Sequence, residues 1–276
     1  MVMRSYDELI RHVMESGGNI SYIGRTFLGY PIPMISKGEG SVRVLVVASV
    51  HAREFITSFL AFKLFESYNG DVRFDLVPCL NIDGVILSRC GVNGTPLSLK
   101  DREFLLSVNK NSKDFSLWKA NARAVDINLN FDAGFGKGLG NLKKPAPHGY
   151  IGKKVESEPE TKAIAKLIRE NDYKIAVAYH SKGEEVYWGF KDDTSYEAEA
   201  QEFANFLGYK LKETRHSTGG IKDYFTLHTK QLGLTVEVGD DNLAHPLSKE
   251  ILPSLVEKHT GSWELLAELA KQANDD

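Results

Sequence analysis

RVLVVASVHARE, residues 43–54, sets a compact apolar run against an imidazole and a carboxylate. The run, Arg43–Val50, is β-branched and has the composition of a buried strand. His51 follows at once, and Glu54 stands three residues further on. From Glu54 to Tyr68 the period changes, with Phe55, Phe59 and Phe62 at helical spacing. A strand that hands over to a helix is the unit of a layered α/β domain. Here the joint between them carries two groups able to bind a metal.

The pattern recurs downstream. Lys174–Tyr179 (KIAVAY) is another apolar strand, and His180 sits where it ends. Leu232–Val238 (LGLTVEV) is a further strand, carrying Glu237. Arg73–Leu80 reads as a strand that runs into a turn signal, Asn81-Ile82-Asp83-Gly84. Ser157 and Glu160 have the spacing of a capping box, opening a helix to about Glu170. Ser195–Leu207 reads as a helix stopped by Gly208, and Ser254–Gln272 as the last helix. Gly91–Tyr150, rich in Gly, Asn and Lys, reads as long surface loops, where open α/β sheets build their sites. The whole of 1–276 reads as one domain, with residues 1–20 a helical extension.

A catalytic zinc takes three protein ligands and keeps one position for water, and two histidines with one glutamate is a standard set. His51 and Glu54 converge from one segment, so the third ligand must come from far along the chain. His180 is the candidate. The His-x-x-Glu spacing alone is weak, because it arises often by chance. Position strengthens it, since His51, His180 and Glu237 all sit at the ends of apolar strands. His12, His228 and His259 lie in helix-like or polar stretches and read as structural, whereas His148, His216 and His245 lie in loops that can line a cleft.

Among 276 residues, 26% are charged and the formal net charge is -3. That balance gives no basic field for nucleic acid or an anionic membrane. The polar N-terminus has no apolar signal core and no run is long enough to span a bilayer, so cytoplasmic residence is expected. Cys79 and Cys90 suit a reducing compartment.

At this point the chain resembles the zinc carboxypeptidase A-like family. The matching stretches are IGRTFLGYPI (23–32), HAREF (51–55), NIDGV (81–85), VDINLNFDAGFG (125–136), SEPET (157–161), YHSKG (179–183) and TVEVG (235–239), in the family's order. The resemblance implies a mixed, mostly parallel eight-stranded sheet with helices on both faces and one zinc per chain. It implies His51, Glu54 and His180 as ligands, and Glu237 as the base that activates water. It makes Asp126 the carboxylate that orients His51, and Arg53 a substrate contact. Lys119 stands nine residues before Asn128, where family members usually carry an arginine that polarises the scissile carbonyl. Arg123, close by, can supply that charge instead.

Two departures narrow the substrate. Ordinary carboxypeptidases have Asn-Arg where this chain has Asn128-Leu129, and leucine cannot clamp a free C-terminal carboxylate. The family's tyrosine lid, counted three residues from Asp223, falls on Thr226, while Tyr224 is in another register. The same departures recur in bacterial γ-D-glutamyl-diamino acid peptidases, which cut peptidoglycan stem peptides before meso-diaminopimelate. FSLWKANARAVDIN (115–128) and GGIKDYF (219–225) resemble that branch. The resemblance implies that Lys222, Arg123, Gly220 and Asn128 face substrate, although Lys222 alone also reads as a solvated loop lysine. A small peptide is then the partner. Rival readings are a carboxypeptidase or amidohydrolase for other peptides or N-acyl amino acids, an inactive cell-wall-peptide binding module, and a structural zinc site. The last is disfavoured because no cysteine lies near these motifs.

Overall fold

The computed structural model describes residues 3–191, 193, 195–213 and 218–275. Eight strands form one sheet: β1 (Asn19–Arg25), β2 (Pro31–Lys37), β3 (Arg43–Val47), β4 (Arg73–Val77), β5 (Tyr173–His180), β6 (Glu185–Trp188), β7 (Lys210–Glu213) and β8 (Leu232–Glu237). Their order is β1-β2-β4-β3-β5-β8-β6-β7. Four of the seven pairings are parallel, which makes the sheet mixed and mostly parallel. The helices are α1 (Tyr6–Glu15), α2 (Ile56–Ser67), α3 (Ile82–Gly94), α4 (Leu99–Val108), α5 (Pro159–Glu170), α6 (Glu197–Leu207), α7 (Ile221–Thr229), α8 (Leu252–His259) and α9 (Ser262–Asp275). They cover both faces. α7 packs on β5 and β8 and against α5, while α9 packs on β3 and β5 and against α6.

The centre is dry. Val44–Val47 of β3 and Ile175–Ala178 of β5 are buried, as is most of α2. Each such large apolar side chain contributes roughly 1.5–3 kcal/mol on leaving water. Parallel strands buried on both faces need continuous apolar runs, which is why β3, β5 and β8 stand out in the sequence. Their carboxyl ends share one edge of the sheet. Val47 pairs with Ala178 and His180 with Glu237, so strand register brings the chemistry together.

Several expectations need correction. The Asn81–Gly84 turn signal is the start of α3, because the Asn81 side chain caps Gly84 N at 3.1 Å. Residues 91–108, expected as loop, lie mostly in α3, which kinks at Gly91, and in α4. Ser157 is no helix cap: α5 begins at Pro159 after Glu158, and Ser157 Oγ donates to Glu158 Oε1 at 2.7 Å. The last helix is two, broken at Gly261, whose φ is 83°. At the N-terminus α1 stops at Glu15 and β1 already begins at Asn19, inside the expected helical extension. No helix among the described residues is long and apolar enough to cross a membrane.

Candidate metal centre and active site

His51 leads into a single helical turn, Ala52–Glu54, that rotates the Glu54 carboxylate back toward the imidazole. His51 Nδ1 lies 2.9 Å from Glu54 Oε1, and His180 Nδ1 lies 3.0 Å from Glu54 Oε2. The two Nδ1 atoms are 3.0 Å apart. All three residues are buried, and their donor atoms lie within 4.8 Å of one another.

This arrangement fits a metal. Two ring nitrogens at 3.0 Å share at most one proton, yet each also faces a carboxylate oxygen. The lone pairs converge on one point, where a divalent cation would offset the Glu54 charge. Bonds of about 2.0–2.2 Å to a common tetrahedral zinc would space neighbouring donors about 3.3–3.6 Å apart, a few tenths of an ångström wider than the 2.9–3.0 Å between these atoms.

The far nitrogen of His51 is held as a ligand histidine requires. Nε2 lies 3.1 Å from Asp126 Oδ1, and Asp126 Oδ2 accepts Gly149 N at 3.0 Å. A proton kept on Nε2 leaves Nδ1 as the electron donor. Burial works against charge here, but neighbours prevail. Glu54 and Asp126 lift the His51 imidazolium to about 9, while the histidines hold the Glu54 carboxyl well below its ordinary range. Burial lowers His180. A divalent ion competes with protons for these same lone pairs.

Glu237 ends β8 one strand away. Its Oε2 is enclosed and has no hydrogen-bond partner among the described residues. Burial first, and Glu54 second, push its carboxyl up to about 8. Lys119 faces the same space, and its positive charge is felt at His51, Asp126, His180 and Glu237. Beside Glu237 opens a pocket of about 240 Å³ lined by Asn128, Tyr187, Gly220, Lys222, Asp223 and Thr235. Lys222 is not a solvated loop lysine. It lies in α7, only 3% exposed, with Nζ 2.6 Å from Asp223 Oδ1 and bonded to Gly189 O.

Not every expected residue joins this group. Arg123 turns away: its guanidinium lies over the Phe27 ring and its Nε is 3.7 Å from the buried Glu158, in a separate hollow. Arg53 is half-buried with Nε unpartnered, and its charge bears on His245. His245, left open by the sequence, is half-buried, and its charge environment includes Arg53, Glu54, Lys182 and Lys119; burial first lowers it to about 4. His148 is exposed, and His216 lies outside the described residues. The sequence missed Asp223 and Tyr187. A buried acid next to a lysine gives no periodic signal, and Tyr187 sits on the short β6.

The zinc carboxypeptidase family model matches residues 8–260. The chain belongs to the zinc carboxypeptidase family. The family is named for zinc, and the buried His51, Glu54 and His180 form a group that could hold one metal ion. It is 32% identical over 248 residues to gamma-D-glutamyl-L-diamino acid endopeptidase 1 of Lysinibacillus sphaericus, a match covering 82% of this chain and 62% of that protein. It is 24% identical over 237 residues to human mast cell carboxypeptidase A, covering 79% of this chain and 51% of the relative. The chain thus spans less than two thirds of these relatives' length. Among solved structures, bovine thrombin-activatable fibrinolysis inhibitor superposes with a TM-score of 0.78 at 19% identity, over 99% of this chain and 98% of that one. Murein-tripeptide amidase MpaA from Escherichia coli O157 gives 0.60 at 19% identity, over 93% and 95%. At such identities these two superpositions speak for the fold.

Proposed function

We propose that this zinc carboxypeptidase hydrolyses the amide bond between a γ-D-glutamyl group and a diamino acid, meso-diaminopimelate, in peptidoglycan stem peptides. The observation that carries this is the pocket beside Glu237. Leu129 stands where a clamp for a free C-terminal carboxylate would be, and the pocket instead presents the buried Lys222 ammonium with Asn128 at its rim. The relative named for gamma-D-glutamyl-L-diamino acid hydrolysis supports the same substrate class.

In this reading His51, Glu54 and His180 hold the metal. Zinc, when bound, supplies Lewis acidity toward water and the scissile carbonyl. The enclosed Oε2 of Glu237 takes the proton of the attacking water and later hands it to the leaving amine. Burial suits it to both tasks, because a carboxyl lifted toward neutrality gives and takes a proton with little bias. The Lys119 ammonium stands by as negative charge develops on the carbonyl oxygen, a contribution of about 3–4 kcal/mol when preorganised. Asp126 keeps the His51 ring in one tautomer and orientation. Lys222 and Asn128 receive the polar groups of the leaving residue, and Arg53 contacts the acyl side.

A panel of stem peptides tests this, with products identified by mass spectrometry in the presence and absence of a chelator. Chelator-sensitive release of diaminopimelate-containing product from γ-D-glutamyl peptides is expected. Removal only of ordinary C-terminal residues from L-peptides would overturn the assignment.

A further inference from the structure

The NIDG segment, 81–84, gives the reaction no group of its own, yet it is buried beneath the site. We propose that Asn81 is a positioning residue that sets Lys119 against the metal ligands, an inference resting on the role given to Lys119 above.

Asn81 joins two separate stretches of chain. Its Nδ2 donates to Val50 O at 3.1 Å, to Ala120 O at 3.2 Å and to Lys119 O at 3.4 Å. Val50 immediately precedes the ligand His51. The Asn81 backbone N donates to Ser49 O at 3.0 Å, so the ligand segment is held twice. Ala52 N closes the join by donating to Lys119 O at 3.0 Å. From the other side, Lys119 N and Ala120 N both donate to Pro147 O at 3.0 Å. The backbone under the Lys119 side chain is therefore fastened to the residues flanking His51, and one primary amide makes three of those links.

Only a primary amide fits this place. It offers two N–H groups on one nitrogen for the three carbonyls and an oxygen for Gly84 N. Aspartate has no donor, and a shorter or apolar side chain leaves buried carbonyls unsatisfied. Gly84 completes the fit. A Cβ there would lie 2.4 Å from Asn81 Oδ1 and 2.6 Å from Ala120 O, so glycine lets the start of α3 reach both partners. Loss of the amide leaves residues 119–120 joined to the His51 segment only through Ala52 N among the described residues, and so loosens their setting against His51. A misplacement of about 1 Å in a catalytic group costs up to about 10²-fold in rate.

A double-mutant cycle on the zinc-loaded full chain decides the matter, read by kcat and KM on a γ-D-glutamyl-diaminopimelate tripeptide, by zinc content and by thermal melting. Lys119→Met is expected to lower kcat by about 10²-fold with zinc retained. Asn81→Ser is expected to retain zinc, leave KM within about twofold and lower kcat about tenfold. If Asn81 acts through Lys119, then Asn81→Ser costs less than about twofold once Lys119 is already methionine. An equal Asn81→Ser loss in both backgrounds, or no loss in either, overturns the proposal. Should Asn81→Ser melt below the assay temperature, Asn81→Gln keeps the amide while lengthening its reach, and the same cycle applies. An unchanged kcat in Lys119→Met would sink the reading of Lys119 together with this inference, whereas additive losses sink the inference alone.

Discussion

Two clusters of carboxylates, one at the metal centre and one under a turn, differ in what their neighbours do to them. Glu54, Asp126 and Glu237 gather at the carboxyl ends of β3, β5 and β8, while Asp83, Glu158 and Glu160 gather beneath the turn between β1 and β2. In the first group, imidazoles hold Glu54 and Asp126 ionised against burial. In the second, burial wins: it lifts Asp83 to about 6 and, with Asp83 nearby, Glu160 to about 8. Asp83 accepts Thr26 Oγ1 at 2.6 Å and Leu28 N at 2.8 Å, and Glu160 accepts Phe27 N at 3.3 Å. Those acids fasten a turn. Burial alone therefore does not mark a chemical site; converging nitrogen lone pairs do.

Four experiments break or sharpen that contrast. The largest effect belongs to His180→Ala, which should lose zinc and with it all turnover; unchanged zinc content by elemental analysis would reject His180 as a ligand. Next, Glu237→Gln should keep zinc and lower kcat by about 10³-fold. If hydrolysis survives, Glu237 is as inert as the acids under the turn. Third, Lys222→Met should cut kcat/KM on diaminopimelate peptides by about tenfold, the loss of a charge-assisted contact. It should also lower Tm by leaving Asp223 without its ion pair; an unaltered kcat/KM would remove Lys222 from the substrate pocket.

The smallest effect is on stability. The folded Glu160 carboxyl is raised from 4.5 to about 8, so the folded chain keeps this proton longer than the unfolded chain. Its contribution is complete below about pH 4.5 and is lost as pH rises through about 8. Glu160→Gln should therefore raise Tm by a few degrees at about pH 9 and leave it nearly unchanged at about pH 4, as read by calorimetry. A parallel pH profile in both proteins would show that Glu160 is ionised in the fold.

What the sequence disclosed follows the same division. Strands buried on both faces must be apolar throughout, so β3, β5 and β8 announce themselves, and a polar group at their ends is conspicuous. The ligand trio and Glu237 were legible for that reason. α3 was not, because Asn81, Gly84 and Gly91 are turn residues by type, and only tertiary packing shows that the first caps a helix and the second permits close approach. Lys222 and Arg123, both expected to face substrate, part company for a similar reason. Tertiary packing alone shows that α7 buries Lys222 in the pocket beside Glu237, while the Arg123 guanidinium lies over Phe27 and near Glu158.

Where β5 lies beside β8, His180 stands opposite Glu237. The main-chain interval between them is thus the inter-strand spacing of about 4.7–4.9 Å, with no intermediate register, and a slip of one residue would turn a side chain to the other face. The sheet serves as a ruler with fixed graduations. Loops around it can be recut to admit a different guest while the spacing between His180 and Glu237 stays as it was.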